Sequence, residues 1–164
     1  MKYLITYFYN IRFFSKNMIP ISTAIWDPAY FHSNSHNQNI CFIDKNGIMN
    51  GIKEDALIFK KSVYESLDEQ CSRDCGFYGK APHCKFMDIY RKQLSEVDFN
   101  GYLLPEFARV AEEVRKATHY EGEPIIVLLV HEKPDKKCSE RPCLVEAFKN
   151  NGIDLLEFDK SMVK

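Results

Sequence analysis

Residues 123–158 read EPIIVLLVHEKPDKKCSERPCLVEAFKNNGIDLLEF and predict the class of fold. An uninterrupted apolar run at 125–130 predicts a buried strand, and a polar loop follows it. A short amphipathic segment then ends at Gly152, and a second apolar run at 153–158 predicts another strand. Strand, loop, helix and strand in this order form a βαβ unit, in which the two strands are parallel. The loop after the first strand of such a unit faces the ligand crevice, so the sequence predicts where a site lies.

The rest of the chain carries further strand and helix patterns. We expect about four strands, near residues 3–9, 19–26, 125–131 and 153–158. Apolar residues at helical spacing predict helices near 56–67, 86–97 and 105–117. The pairs Asn46-Gly47 and Asn50-Gly51 predict tight turns. Buried strands separated by amphipathic helices predict an α/β fold with a mostly parallel sheet.

Length and composition favour a single domain over residues 1–164. The chain has 164 residues and 45% hydrophobic content, enough for one well-buried core. Its 22 basic and 23 acidic side chains give a net charge of -1. This balance provides no general attraction to nucleic acid or to a membrane, so any affinity for anions has to be local.

Nothing in the hydropathy pattern predicts a membrane protein. No apolar run approaches the roughly 18 residues that a membrane span needs, and no pattern is typical of an export signal. We therefore expect a cytoplasmic protein whose six cysteines are reduced.

The loop after the third predicted strand has the composition of an anion site. It contains the basic residues Lys133, Lys136, Lys137 and Arg141. Backbone N–H groups, the helix dipole and a guanidinium meet at the start of the next helix, with Ser139 or Arg141 in the capping region. Cys138 lies close to the same helix start, where a thiolate is commonly stabilised and becomes a nucleophile. The alternative is a solvated Lys-rich loop beside a packed cysteine.

The loops after the first two predicted strands add polar and aromatic groups. If the strands are parallel, these loops meet the loop after the third strand at one edge of the sheet. Arg12 suits an oxyanion, and Trp26 or Tyr30 suits stacking on a ring. The predicted ligand-binding residues are Asn10, Arg12, Trp26, Asp27, Tyr30, His131, Lys133 and Ser139. Each also has an ordinary interpretation as a surface or core residue.

Both ends of the chain resemble one known family. The run from Ile126 to Lys133, IVLLVHEK, followed after four residues by Cys138, resembles the C-terminal signature of the domain-of-unknown-function 488 family. Tyr3-Leu-Ile-Thr-Tyr-Phe and Met18-Ile-Pro-Ile-Ser resemble its first two strands. The resemblance implies a three-layer Rossmann-like fold, in a small protein of bacteria, phages or mobile elements, and implies little about activity. Ser139 stands where the family has a His, which departs from its Cys-His-Arg trio.

A Cys-rich insertion at 71–84 is the second notable cluster. Cys71 and Cys75 are four residues apart, and a Gly-containing loop leads on to His83 and Cys84. Four such ligands are what a structural zinc ion needs. Unliganded thiols and an iron–sulfur centre are the alternatives.

The sequence leaves three functions open. We expect a module that binds a nucleotide or other phosphorylated or anionic small molecule at the carboxyl edge of the sheet. One alternative is a hydrolase or transferase that uses Cys138 with Arg141, and Glu132 or His131 as proton carrier. The other is a protein or nucleic-acid interaction factor with a zinc-stabilised Cys-rich loop, although the balanced net charge makes nucleic acid the less expected partner.

Overall fold

A computed structural model describes residues 1–33, 49–65, 67, 85–134 and 139–163. The strands are β1 (Lys2–Tyr7), β2 (Met18–Ser22), β3 (Phe31–Ser33), β4 (Met49–Lys53), β5 (Ile125–Val130) and β6 (Leu155–Glu157). The α-helices are α1 (Lys61–Glu65), α2 (Lys85–Ser95), α3 (Leu104–Thr118) and α4 (Glu140–Asn150). Short 3-10 segments cover Phe8–Phe13, Asp55–Leu57 and Lys160–Met162, and a π-helical turn covers Phe99–Leu103.

The six strands form one parallel sheet in the order β3-β4-β2-β5-β1-β6. β5 lies between β1 and β2, so the strand with the longest apolar run is at the centre. All six residues of β5 are apolar, and five of them are buried. Both faces of β5 are covered, so all of its residues are apolar and the sequence does not alternate between polar and apolar residues.

The sheet is the middle layer of three. Ile126, Leu128 and Val130 face a core that includes apolar residues of α2, α3 and α4. Val127 and Leu129 face the opposite side, where the 3-10 segment Phe8–Phe13 and neighbouring aromatic residues cover the sheet. This Rossmann-like three-layer α/β arrangement confirms the predicted class of fold.

The expected strand count of about four was too low. β3 begins at Phe31 in a stretch that looked irregular because it is rich in His, Ser and Asn. β4 contains Asn50-Gly51, so the turn predicted there is wrong. Gly51 is required in β4 because a Cβ atom would lie 2.7 Å from the carbonyl oxygen of Pro20 and 2.6 Å from the ring of Phe31.

The helix predictions differ in outcome. α2, α3 and α4 begin or end within a few residues of the predicted positions, whereas the pattern at 56–67 produces only a 3-10 turn and the five-residue α1. The Cys-rich insertion at 71–84 lies outside the described residues. In the part of the chain that the structure describes, no helix is long and apolar enough to cross a membrane.

Candidate functional site

Three loops meet at the carboxyl edge of the sheet. Tyr7 of β1 is paired with Val130 of β5, and Ser22 of β2 is paired with Leu129 of β5, so the three strands end at the same level. We call the following segments, 8–13, 23–30 and 131–134, the edge loops. Because parallel strands bind ligands beyond their carboxyl ends, these loops form the candidate site.

Direct contacts hold the edge loops together around His131. Its Nε2 atom lies 2.5 Å from the backbone oxygen of Trp26. Its ring centroid is 5.0 Å from that of Phe8, and Phe8 packs edge-on against Phe31 at 5.2 Å. The His131 side chain is exposed, so it is both a link between the loops and a group that a ligand can reach.

The edge loops expose aromatic rings to water. Tyr9 is 47% exposed, Trp26 is 50% exposed and Tyr30 is 39% exposed. The carbon of the Arg12 guanidinium lies 3.5 Å from the centroid of the Tyr9 ring, and Arg12 Nε donates to the Tyr9 carbonyl at 3.0 Å. Partial burial raises the pKa of Tyr30, and the positive charge of Arg12 offsets part of that rise. Arg12 is therefore close to both tyrosines.

A second cation lies near Trp26. The Lys61 ammonium is 5.7 Å from the centroid of the Trp26 ring. Tyr64 packs edge-on against the same ring, with the centroids 5.5 Å apart. Both neighbours belong to α1, so the Trp26 ring lies on the side of the sheet that the helices cover.

Asn10 and Asp27, which the sequence predicted as binding residues, bond within the protein. Asn10 Nδ2 donates to the hydroxyl of Thr6 at 2.8 Å. Asp27 accepts a 2.5 Å hydrogen bond from Ser22 and lies 3.8 Å from the Lys53 ammonium. These contacts shape the loops that present Tyr9 and Trp26.

The start of α4 is also internally bonded. Ser139 is the N-cap residue, as the sequence suggested, and its hydroxyl accepts from the N–H of Arg141 at 3.2 Å. Arg141 is buried, donates through Nη2 to the carbonyl of Glu132 at 2.5 Å, and forms an ion pair with Glu157. Its guanidinium thus ties the ends of β5 and β6 to α4. Lys133 is exposed in the edge loop after β5.

The structure adds one pair of residues that the sequence did not indicate. Glu140 is buried, and Glu132 lies close enough to it for their carboxyl groups to interact. Two ionised carboxylates repel each other, so this proximity favours the neutral form of one of them. Burial raises the pKa of Glu140 well above its ordinary value, and the negative charge of Glu132 raises it further. These two acids lie between the end of β5 and the start of α4.

The pair was missed because its pattern is ordinary. Glu140 follows the N-cap Ser139, and an acid in the first turn of a helix commonly lies on the surface, where it stabilises the dipole. The contact with Glu132 depends on how the loop between them folds, which spacing does not reveal.

The other predicted site residues lie outside the described residues. They are Cys138, the proposed nucleophile, and the proposed zinc ligands Cys71, Cys75, His83 and Cys84. Among the residues that are described, no group of three or more His, Cys, Asp or Glu side chains is placed to hold a metal ion. The zinc site and the nucleophile both stay predictions.

Comparison of the chain with protein-family models, with curated proteins and with solved structures finds no match. The resemblance to the domain-of-unknown-function 488 family therefore stays a prediction, and the functional argument depends on the geometry of the edge loops.

Proposed function

We propose that the protein binds a nucleotide, or another phosphorylated small molecule with an aromatic ring, at the carboxyl edge of its sheet. The observation that carries this proposal is the exposure of Tyr9, Trp26 and Tyr30 in the edge loops. An exposed ring offers a flat surface on which another ring stacks, and the edge is where parallel sheets bind ligands.

The charges around these rings favour an anion. Arg12 stacks on Tyr9 and Lys61 lies near Trp26, so each of these two rings has a cation close to it. A guanidinium donates to phosphate oxygens in a forked geometry and also stacks on rings, so Arg12 suits both parts of a nucleotide.

Two acids at the same edge are already matched by cations. Asp27 lies beside Lys53, and Glu157 is paired with Arg141. These pairs reduce the repulsion that an incoming phosphate meets. The proposal is thus compatible with a net charge of -1 for the whole chain.

Trp26 provides a direct test because it is the only tryptophan in the chain. We expect ADP to change Trp26 fluorescence in a saturable way and Arg12→Glu to weaken this binding by at least roughly tenfold, since it replaces an attractive charge with a repulsive one. Lys92→Glu reverses an exposed cation on α2 and is the matched control, with affinity expected to stay the same.

If ADP binds to Arg12→Glu as tightly as to the wild type, the site lies elsewhere. If neither ADP nor any other phosphorylated ring compound binds at all, the proposal is wrong.

A second candidate function is hydrolysis or group transfer, and the buried Glu140 beside Glu132, with its raised pKa, is the observation that favours it. A carboxyl group with a raised pKa can donate and accept a proton near neutral pH, which such reactions need. The proposed nucleophile, Cys138, lies between these two acids in sequence, two residues before Glu140.

Alkylation tests this second candidate. Iodoacetamide near neutral pH is expected to modify Cys138 faster than it modifies free cysteine if the thiol is a nucleophile. Cys143 is buried, with its sulfur 3.7 Å from the carbonyl of Met87, and serves as an internal control that should stay unmodified. Peptide mass spectrometry separates the two sites, and a Cys138 that reacts no faster than free cysteine would contradict the enzymatic role.

A further inference from the structure

The edge loops contain two separate aromatic–cation stations. The first, the Tyr9 station, consists of Tyr9 with Arg12 stacked on it. The second, the Trp26 station, consists of Trp26 with Lys61 near its ring. Tyr9 follows β1 and Trp26 follows β2, and β5 lies between these strands.

The two stations are too far apart for one ring to use both. Neighbouring strands lie about 4.8 Å apart, so the ends of β1 and β2 are separated by about 10 Å. The rings also diverge from there. Tyr9 belongs to the 3-10 segment on one face of the sheet, whereas Trp26 packs against Tyr64, which contacts the aromatic residues of the helical layer.

Polar groups lie in the space between the stations. His131 follows β5, is exposed, and lies within hydrogen-bond distance of the Trp26 backbone oxygen. Lys133 is exposed in the same edge loop. These groups, together with Arg12, suit phosphates better than a third ring.

We propose that the natural ligand has two bases joined by a phosphate-containing linker, with one base at each station and the linker crossing the end of β5. This inference rests on the proposed function, because it specifies the ligand of the same site. Two chemical sources fit: a dinucleotide joined by a pyrophosphate, or a short single-stranded nucleic acid. Both have two stackable bases and anionic groups between them.

Calorimetric titration of the intact chain separates one-base from two-base ligands. The probes are ADP, a pyrophosphate-linked adenine dinucleotide and a short oligodeoxyadenylate. We expect one of the two-base ligands to bind at least roughly tenfold more tightly than ADP, because it adds stacking on a second base. The source is a free dinucleotide if the dinucleotide binds more tightly, and nucleic acid if the oligonucleotide does.

A single substitution tests the division into stations. Tyr9→Leu removes the ring of the first station and keeps Arg12, and we expect it to reduce the affinity for the tighter two-base ligand to about that for ADP. Trp26 fluorescence should still respond to ADP in this variant. Tyr102→Leu, which changes an exposed tyrosine outside the edge loops, is the matched control and should bind like the wild type.

Two results overturn this inference in distinguishable ways. If ADP binds as tightly as both two-base ligands, the ligand has one ring system, and the proposed function stands without the second station. If none of the three probes binds, the inference fails together with the proposed function.

Discussion

Arg141 was predicted to bind an anion, but in the folded chain it is bonded to Glu157 and to the carbonyl of Glu132. The sequence placed it at a helix start as an anion ligand, and its position at the start of α4 is as predicted. Its partner Glu157 is 16 residues further on and comes close only because β6 lies beside β1. No sequence pattern reports that contact, since it depends on the order of strands in the sheet.

Removing the Arg141 guanidinium should destabilise the fold. Arg141→Met leaves Glu157 without its cation and the Glu132 carbonyl without its donor. We expect a loss of about 2 kcal/mol in the free energy of unfolding, because a half-buried carboxylate and a backbone carbonyl both lose their charged donor. Urea denaturation measures this loss.

Arg109→Met provides the matched control. Arg109 forms ion pairs with Glu106 and Glu113 on the exposed surface of α3, and such pairs contribute at most about 1 kcal/mol. Equal effects of the two substitutions would contradict the role of Arg141 as a tie between β5, β6 and α4.

The raised pKa of the buried Glu140 predicts how stability depends on pH. The folded-state pKa of Glu140 lies well above the ordinary value of 4.5, so the folded chain keeps a proton that the unfolded chain releases. The contribution of Glu140 to the free energy of unfolding is therefore fully present below pH 4.5. It falls as the pH rises from there towards the raised pKa.

Glu140→Gln should flatten this pH dependence. The Gln amide is neutral and does not titrate, so the contribution of residue 140 to stability no longer changes with pH. Urea midpoints measured between about pH 5 and 9 should decline less in this variant than in the wild type. Glu96→Gln, at an exposed position, should behave like the wild type. An unchanged slope in Glu140→Gln would show that Glu140 does not hold the proton.

Among the elements, those with the strongest patterns were predictable and those at the edge of the sheet were not. β5, α4 and β6 follow from long apolar runs and from a capping serine at 139. β3 and β4 contain His, Asn and Gly, which are uncommon in strands. They form because Phe31 and Ile52 are buried in the cores on the two faces of the sheet, which is a tertiary effect.

Gly51 in β4 provides a test at this scale. Gly51→Ala forces a Cβ atom against the backbone oxygen of Pro20 and the buried ring of Phe31, neither of which can move easily. We expect a loss of about 1–3 kcal/mol in the free energy of unfolding.

Gly122→Ala is the matched control for this crowding. A Cβ atom there meets only the ring of Tyr120, a half-buried side chain that can rotate away. We expect a change within about 0.5 kcal/mol, typical of a surface substitution. A Gly51→Ala protein that is as stable as Gly122→Ala would show that β4 does not pack as closely against β2 and β3 as described.

Across the whole molecule, a parallel sheet with β5 at its centre brings distant segments to one edge. The order of elements predicted this convergence, because consecutive parallel strands direct their following loops to the same side. The exposure of Tyr9, Trp26 and Tyr30 was not predictable, since an aromatic residue at a strand end is as often buried as exposed. The sequence therefore predicts which loops form the site. Which aromatic side chains are exposed in those loops is known only from the structure.

Mapping the backbone amide resonances during titration with ADP tests this account most directly. We expect the largest chemical-shift changes in the edge loops, at 8–13, 23–30 and 131–134. Changes confined to another surface, such as the groove of about 260 Å³ lined by Arg91, Cys143 and Glu146 between α2 and α4, would contradict the account.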